Sequence, residues 1–124
     1  CFYCQNVHGG LAQHYFECDM PFIDSIKNDY PSASISEKLK ALLSIAGSVQ
    51  KGGKFVTPNQ VENAKSLGAT DREINDTVLI AAAFCMFNRY VDDLNTSAPK
   101  DRQTYVERAK MRAEEGYANL DLYK

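Results

Sequence analysis

Residues 70–94 read TDREINDTVLIAAAFCMFNRYVDDL. Thr70 followed three positions later by Glu73 is a capping box, in which each side chain reaches the other residue's backbone N–H. Asp71 and Glu73 place negative charge at the positive end of the helix that begins there. Nothing interrupts that helix before about Leu94, and Pro99 stops it. Val78 to Phe87, VLIAAAFCMF, is unbroken apolar sequence. It is well short of the roughly 20 residues that cross a bilayer. A helix apolar on every side is a buried one. The stretch therefore predicts a long, fully buried central helix. A domain of this size can hardly cover all of that surface, so part of it is expected to face another subunit.

The segments on either side are helical too. Thr57-Pro58 is an N-cap with proline at the first helical position, opening a short helix that Gly68 ends. Ser34 or Ser36 caps a helix with Glu37 in its first turn. Leu39, Leu42, Leu43, Ala46 and Val49 give it a core-facing stripe, and Gly52-Gly53 ends it. Pro21 opens one or two helical turns over FIDSIKND, and Pro31 closes them. Val7, Leu11 and Tyr15 share a face of a helix over residues 2 to about 17. Gly9 and Gly10 weaken that helix by roughly 1 kcal/mol each relative to alanine, so they mark close packing or a bend. A last helix runs from about Asp101 to Asn119, with Tyr105, Ala109, Arg112, Ala113 and Tyr117 semi-regularly spaced. Tyr105, Tyr117 and Tyr123 are expected to pack at its surface. No run alternates as a strand does, so the fold class is all-α: a single domain, 1–124, of about five to six helices.

The 124 residues carry 14 Lys and Arg against 16 Asp and Glu, a net charge of −2. Neither a basic stripe for nucleic acid nor an acidic tail is present, and no membrane partner is expected. Of the four cysteines, Cys85 lies in the apolar run and is expected to be a buried small hydrophobe. The odd set left does not resemble a disulfide scaffold, so a reducing cytoplasm fits better. The chain opens inside its most chemical motif. It is read as a C-terminal fragment whose upstream helices are missing.

That motif is CFYCQNVHGG, residues 1–10. On a helix Cys1, Cys4 and His8 follow one another at one-turn intervals, within about 60° of a common direction. The Cα atoms of Cys1 and Cys4 would lie about 5–5.5 Å apart, inside the window a disulfide allows. A bridge within one helical turn is rarely relaxed and is easily reduced, which suits a pair that cycles. His8 could take the proton of Cys4 or stabilise its thiolate, and the amides of a helix N-terminus act in the same direction. Two other readings stay open. A structural zinc would need a fourth ligand, and Cys18 lies about 21 Å further along the axis unless the chain turns at Gly9-Gly10. Alternatively, the thiols are vestigial, in a non-catalytic helical oligomeric binding protein.

The opening motif resembles the CxxCxxxH signature of the carboxymuconolactone decarboxylase family, in its alkyl hydroperoxidase D-like branch. Residues 68–74 (GATDREI) and 84–92 (FCMFNRYVD) are similar to that family's helix ending in FNR with a nearby acidic residue. The tail from Tyr105 through Gly116-Tyr117 resembles a peroxidase-related subgroup of the branch. The resemblance implies an all-helical fold assembling as trimers or hexamers, and a peroxidase cycle without cofactor or metal. Cys4 would attack the O–O bond, Cys1 would resolve the sulfenic acid as a disulfide, and His8 would belong to the proton relay. A protein dithiol or small thiol would then reset the pair. Tyr3 stands where the characterised hydroperoxidases carry histidine, and the relay glutamate expected upstream of Cys1 lies outside the sequence. Glu17 is a distant stand-in for it. His14 reads as an ordinary polar residue, and Arg89 is expected to pair with Asp92 or Asp93 or across a subunit boundary.

Overall fold

The computed structural model describes residues 1–116, so Tyr117, Asn119 and Tyr123 lie outside the described residues. The fold is all-α. Its helices are α1 (Phe2–Phe16), α2 (Met20–Asp29), α3 (Glu37–Lys51), α4 (Pro58–Ser66), α5 (Asp71–Asp93) and α6 (Gln103–Glu115), with a 3₁₀ turn at Gly53–Phe55. Among the described residues there is no strand. None of their helices is long and apolar enough to cross a membrane. The chain divides into two compact units, one of residues 1–27 with those from Val91 onward, the other Asn28–Tyr90.

The helix ends follow from local chemistry. The Ser36 hydroxyl accepts the Leu39 amide and starts α3. Gly52, at φ +143°, ends it. Thr57 caps α4 with Pro58 behind it, and Gln60 completes a capping box absent from the sequence reading. The Gln60 amide also donates to the Ser44 carbonyl at 3.1 Å and the Ser48 hydroxyl at 2.9 Å, so the residue that caps α4 also binds it to α3. Gly68, at φ +87°, follows α4. The Thr70–Glu73 box forms as expected, with the Thr70 amide on Glu73 Oε2 at 2.8 Å and the Glu73 amide on the Thr70 hydroxyl at 3.1 Å. Helix α2 is longer than proline-led turns suggested, because the Asp19 carboxylate accepts the Phe22 amide at its start.

The core of the second unit is small: Ala41, Ile45, Ala64 and Ala69, with Leu42, Val49, Val56 and Ile74 packed against it. The stripe of α3 is therefore rotated from the expected leucines. Ile45, absent from that stripe, is the only large side chain fully buried among the described residues.

The central helix departs from expectation most. No residue of α5 is buried. Cys85 is half-buried rather than enclosed. Arg89 pairs with neither Asp92 nor Asp93; its Nη1 donates to the Cys85 carbonyl at 2.7 Å, one turn back along the same helix. The physical reason is supply. A core of alanines and one isoleucine offers too little surface to enclose a helix that is apolar all round.

In the first unit α1 packs on α6. Gly10 makes this possible: a Cβ there would stand 3.0 Å from the Tyr105 carbonyl oxygen and 3.5 Å from the Ala109 Cβ. Close packing, rather than a bend, explains the glycine, and α1 runs through Gly9-Gly10 without interruption. Tyr105 is buried, not at the surface. Its hydroxyl donates to the Pro99 carbonyl at 2.9 Å, and Phe2 and Tyr3 meet its ring edge-on at 6.4 and 6.0 Å.

Two predictions follow from this packing. Gly10→Ala improves helix propensity by about 1 kcal/mol but drives a methyl against backbone, which costs about 1–3 kcal/mol. It should lower stability. Gly47→Ala, also mid-helix, meets nothing within 4 Å and should raise stability by about 0.5–1 kcal/mol. Chemical denaturation of both variants checks the contrast. Separately, the Lys38 ammonium, 2.7 Å from Glu73, and the Thr70 N–H hold the Glu73 carboxyl at a pKa of about 2. A depressed folded pKa contributes stability that is present above the ordinary value of 4.5 and is lost as pH falls towards 2. Glu73→Gln should lower the melting temperature by a few degrees at neutral pH and flatten its fall between those limits.

Candidate functional site

Cys1 is the N-cap of α1, and its sulfur accepts the Cys4 amide at 3.3 Å. The helix thus begins on a thiol instead of the usual hydroxyl or carboxylate. Cys4, in the first turn, is buried, and its sulfur lies 2.9 Å from that of Cys1. Both are free thiols, within reach of disulfide formation by little side-chain movement. Expectation and structure agree that the two sulfurs share one end of one helix.

The two are electrostatically unequal. Burial pushes the Cys4 thiol pKa up, and the Asp92 carboxylate adds to the rise, although the Cys4 backbone N–H opposes it. The Cys1 sulfur is only half-buried and accepts the Cys4 amide.

His8 is exposed, one turn beyond Cys4. Its Nδ1 lies 2.9 Å from the Cys4 carbonyl oxygen. A carbonyl can only accept, so Nδ1 carries the hydrogen and Nε2 is the basic atom of the neutral ring. The backbone contact thereby fixes the tautomer and the rotamer of the imidazole.

The carboxylate near the thiols is Asp92, with Oδ2 3.4 Å from the Cys1 backbone nitrogen. From the sequence it is one of the partners expected for Arg89, with Asp93 or a group across a subunit boundary as the others. Glu17 is excluded as a relay group: it is the C-cap of α1, about 24 Å along the axis from Cys1. A cavity of about 130 Å³ adjoins the motif, lined by Phe2, Tyr3, Val91, Asp92, Asn95 and Thr96 among others. Phe2 and Tyr3 are the two residues between the cysteines, so the cavity lies beside the motif itself.

Three further residues orient this end of α1. Asn6 is buried. Its amide donates to the Phe2 carbonyl at 2.8 Å and its oxygen accepts Arg102 Nε at 3.0 Å. Arg102 then grips Asp24 through two nitrogens, at 2.9 and 2.7 Å. None of this was read from the sequence, where Asn6 and Arg102 stand 96 positions apart.

Cys18 and His14 lie at the far end of α1, beside a separate groove of about 370 Å³ that also touches Gln13, Glu17 and Lys110. Among the described residues no three His, Cys, Asp or Glu side chains gather closely enough to hold a metal ion. Comparison with known proteins adds no relative: no family model, curated protein or solved structure matches the chain.

The unequal surroundings of the sulfurs give a direct test. Timed alkylation at neutral pH, read by peptide mass spectrometry, should label Cys1 at least about tenfold faster than Cys4. Unfolding the protein should remove the difference.

Proposed function

We propose that this protein is a thiol-dependent peroxidase of the alkyl hydroperoxidase D-like kind, within the carboxymuconolactone decarboxylase family. One observation carries the reading: two free sulfurs in contact at a helix N-terminus, beside a small cavity and a carboxylate. The proposed setting is a reducing cytoplasm, and the proposed assembly is a homo-oligomer.

In the proposed cycle the Cys4 thiolate attacks the terminal oxygen of a hydroperoxide ROOH. The S–O bond forms, the O–O bond breaks, and the alkoxide takes a proton and leaves as ROH. The Cys1 thiolate then attacks the sulfenic sulfur. The S–S bond forms and the oxygen leaves as water. An external dithiol, protein or small molecule, supplies two electrons and two protons and restores both thiols. Asp92 and His8, through Nε2, are the groups proposed to move the protons. A cavity of about 130 Å³ suits a small hydroperoxide better than a bulky one, since drug-sized ligands occupy about 300 Å³ or more.

A second reading has its own support. The burial that raises the Cys4 pKa is also what an inert structural thiol would show, as in a helical binding protein with vestigial cysteines.

Peroxide consumption driven by a dithiol reductant separates the two. The wild-type protein should turn over, and Cys4→Ser should reduce the rate by at least about a hundredfold. Cys1→Ser should allow one stoichiometric oxidation, trapped as a sulfenic acid by dimedone. A wild-type protein that consumes no peroxide, or a Cys4→Ser variant as fast as wild type, would overturn the proposal.

A further inference from the structure

Helix α1 ends in a turn whose residues line a groove. Glu17, its C-cap, is left-handed at φ 49°, where glycine is the ordinary choice. The Cys18 amide closes the turn on the Gln13 carbonyl at 3.2 Å. The turn thereby fixes Gln13, Glu17 and Cys18 relative to one another. All three, with His14, line the groove of about 370 Å³, and Lys110 of α6 lines it from the other helix. Both helices belong to the first compact unit. The volume falls within the range of small-ligand sites, about 300–1,000 Å³, and is nearly three times that of the cavity beside the cysteine pair.

The lining groups define the ligand one by one. Gln13 Oε1 is buried and has no hydrogen-bond partner. A buried amide oxygen left unmet is costly, so it calls for an N–H from whatever fills the groove. On the α1 wall, the carbonyl end of the helix and the Glu17 carboxylate favour a positive group. On the α6 wall, the Lys110 ammonium favours a carboxylate. Its contact with Glu114 is long, 4.0 Å, between side chains that are 73% and 62% exposed, so it is open to a better partner. An amide N–H, a positive group and a carboxylate together describe a zwitterion with a peptide bond. A free amino acid lacks the amide. Cys18 is a free, half-buried thiol on the same wall. It singles out sulfur-bearing peptides, because disulfide exchange is the reaction a free cysteine offers to a bound ligand.

We propose that this groove binds a small zwitterionic peptide thiol and that Cys18 forms a mixed disulfide with it. The Cys18 thiol gives up its proton and attacks one sulfur of the peptide's symmetrical disulfide. The bond between Cys18 and that sulfur forms, the peptide S–S bond breaks, and the departing thiolate takes up a proton. The peptide disulfide is the only oxidant consumed, and the reduced peptide reverses the step. Cys18 lies about 21 Å from Cys4 along α1, so the inference does not depend on the chemistry proposed for Cys1 and Cys4.

Oxidised glutathione, the disulfide of a zwitterionic tripeptide, is the probe. Hydroxyethyl disulfide, with neither amide nor charge, is the control. Modification of each cysteine of the reduced protein is timed by peptide mass spectrometry. At Cys18 the rate with oxidised glutathione should saturate with concentration. The control should react linearly and at least about tenfold more slowly, because nothing holds it in place. Lys110→Glu should raise the half-saturating concentration at least about tenfold and leave the control rate within about twofold. Gln13→Leu should also weaken saturation while raising the melting temperature, since it removes a buried oxygen that only the ligand satisfies. Cys18→Ser should still bind S-methylglutathione in calorimetry. A Cys18 rate that never saturates, or a control disulfide as fast as oxidised glutathione, overturns the inference. So does a Lys110→Glu variant that slows both disulfides equally, or a Cys18→Ser variant that binds no S-methylglutathione.

Discussion

Everything chemical in the first unit depends on how closely α1 approaches α6 at Gly10. With no Cβ in the way, the Tyr105 carbonyl comes within contact distance of the α1 backbone. Tyr105 thereby reaches the start of α1, where Phe2 and Tyr3 pack edge-on against its ring. Those two residues are the spacer between the cysteines, so a packing contact two turns along the helix controls where the sulfurs stand. Gly10 costs helix propensity on α1, and the close contact with α6 that it permits offsets that cost.

The polar arrangement of Asn6, Arg102 and Asp24 acts on the same turn by a different force. Arg102 and Asp24 are partly exposed, at 42% and 34% of their side-chain surface, so as an ion pair they contribute little on their own. Two-point geometry makes the pair directional. It aims Arg102 Nε at the buried Asn6 oxygen, which would otherwise be costly to leave without a donor. The Asp24 carboxyl pKa is lowered, chiefly by its hydrogen bond to Arg102. The arrangement therefore stays ionised and intact across the neutral range.

What the sequence discloses and what it withholds divide along a physical line. Caps at Ser36, Thr57 and Thr70 are legible because the groups that satisfy a helix end lie within three residues of it. The shared end of Cys1 and Cys4 is legible for the same reason. Distant partners are not: nothing in the spacing announces Asn6 with Arg102, or moves Asp92 from Arg89 to the thiols. Periodicity fails on α5 because both of its sides are apolar, so no moment distinguishes the covered side from the open one. It is half right on α3: Leu42 and Val49 of the expected stripe pack against the core, but its centre is Ile45 and Ala41, which the stripe left out.

A buried thiol is an awkward nucleophile, and magnitudes decide how awkward. Each unit of rise in pKa cuts the thiolate fraction tenfold at a pH below it. The thiolate that remains is more reactive, by a factor of about 10^0.4 to 10^0.5 per unit. The net loss is about threefold per unit, not tenfold. The Cys1 thiol, 2.9 Å away, can donate a hydrogen bond to the Cys4 sulfur, and donation to the charged form favours a thiolate there. In the proposed cycle the Cys1 sulfur is the resolving group, while Asp92 and His8 move the protons. The buried sulfur supplies the stronger nucleophile. The inequality between the two cysteines is then what allows a dithiol to work inside a packed helix end.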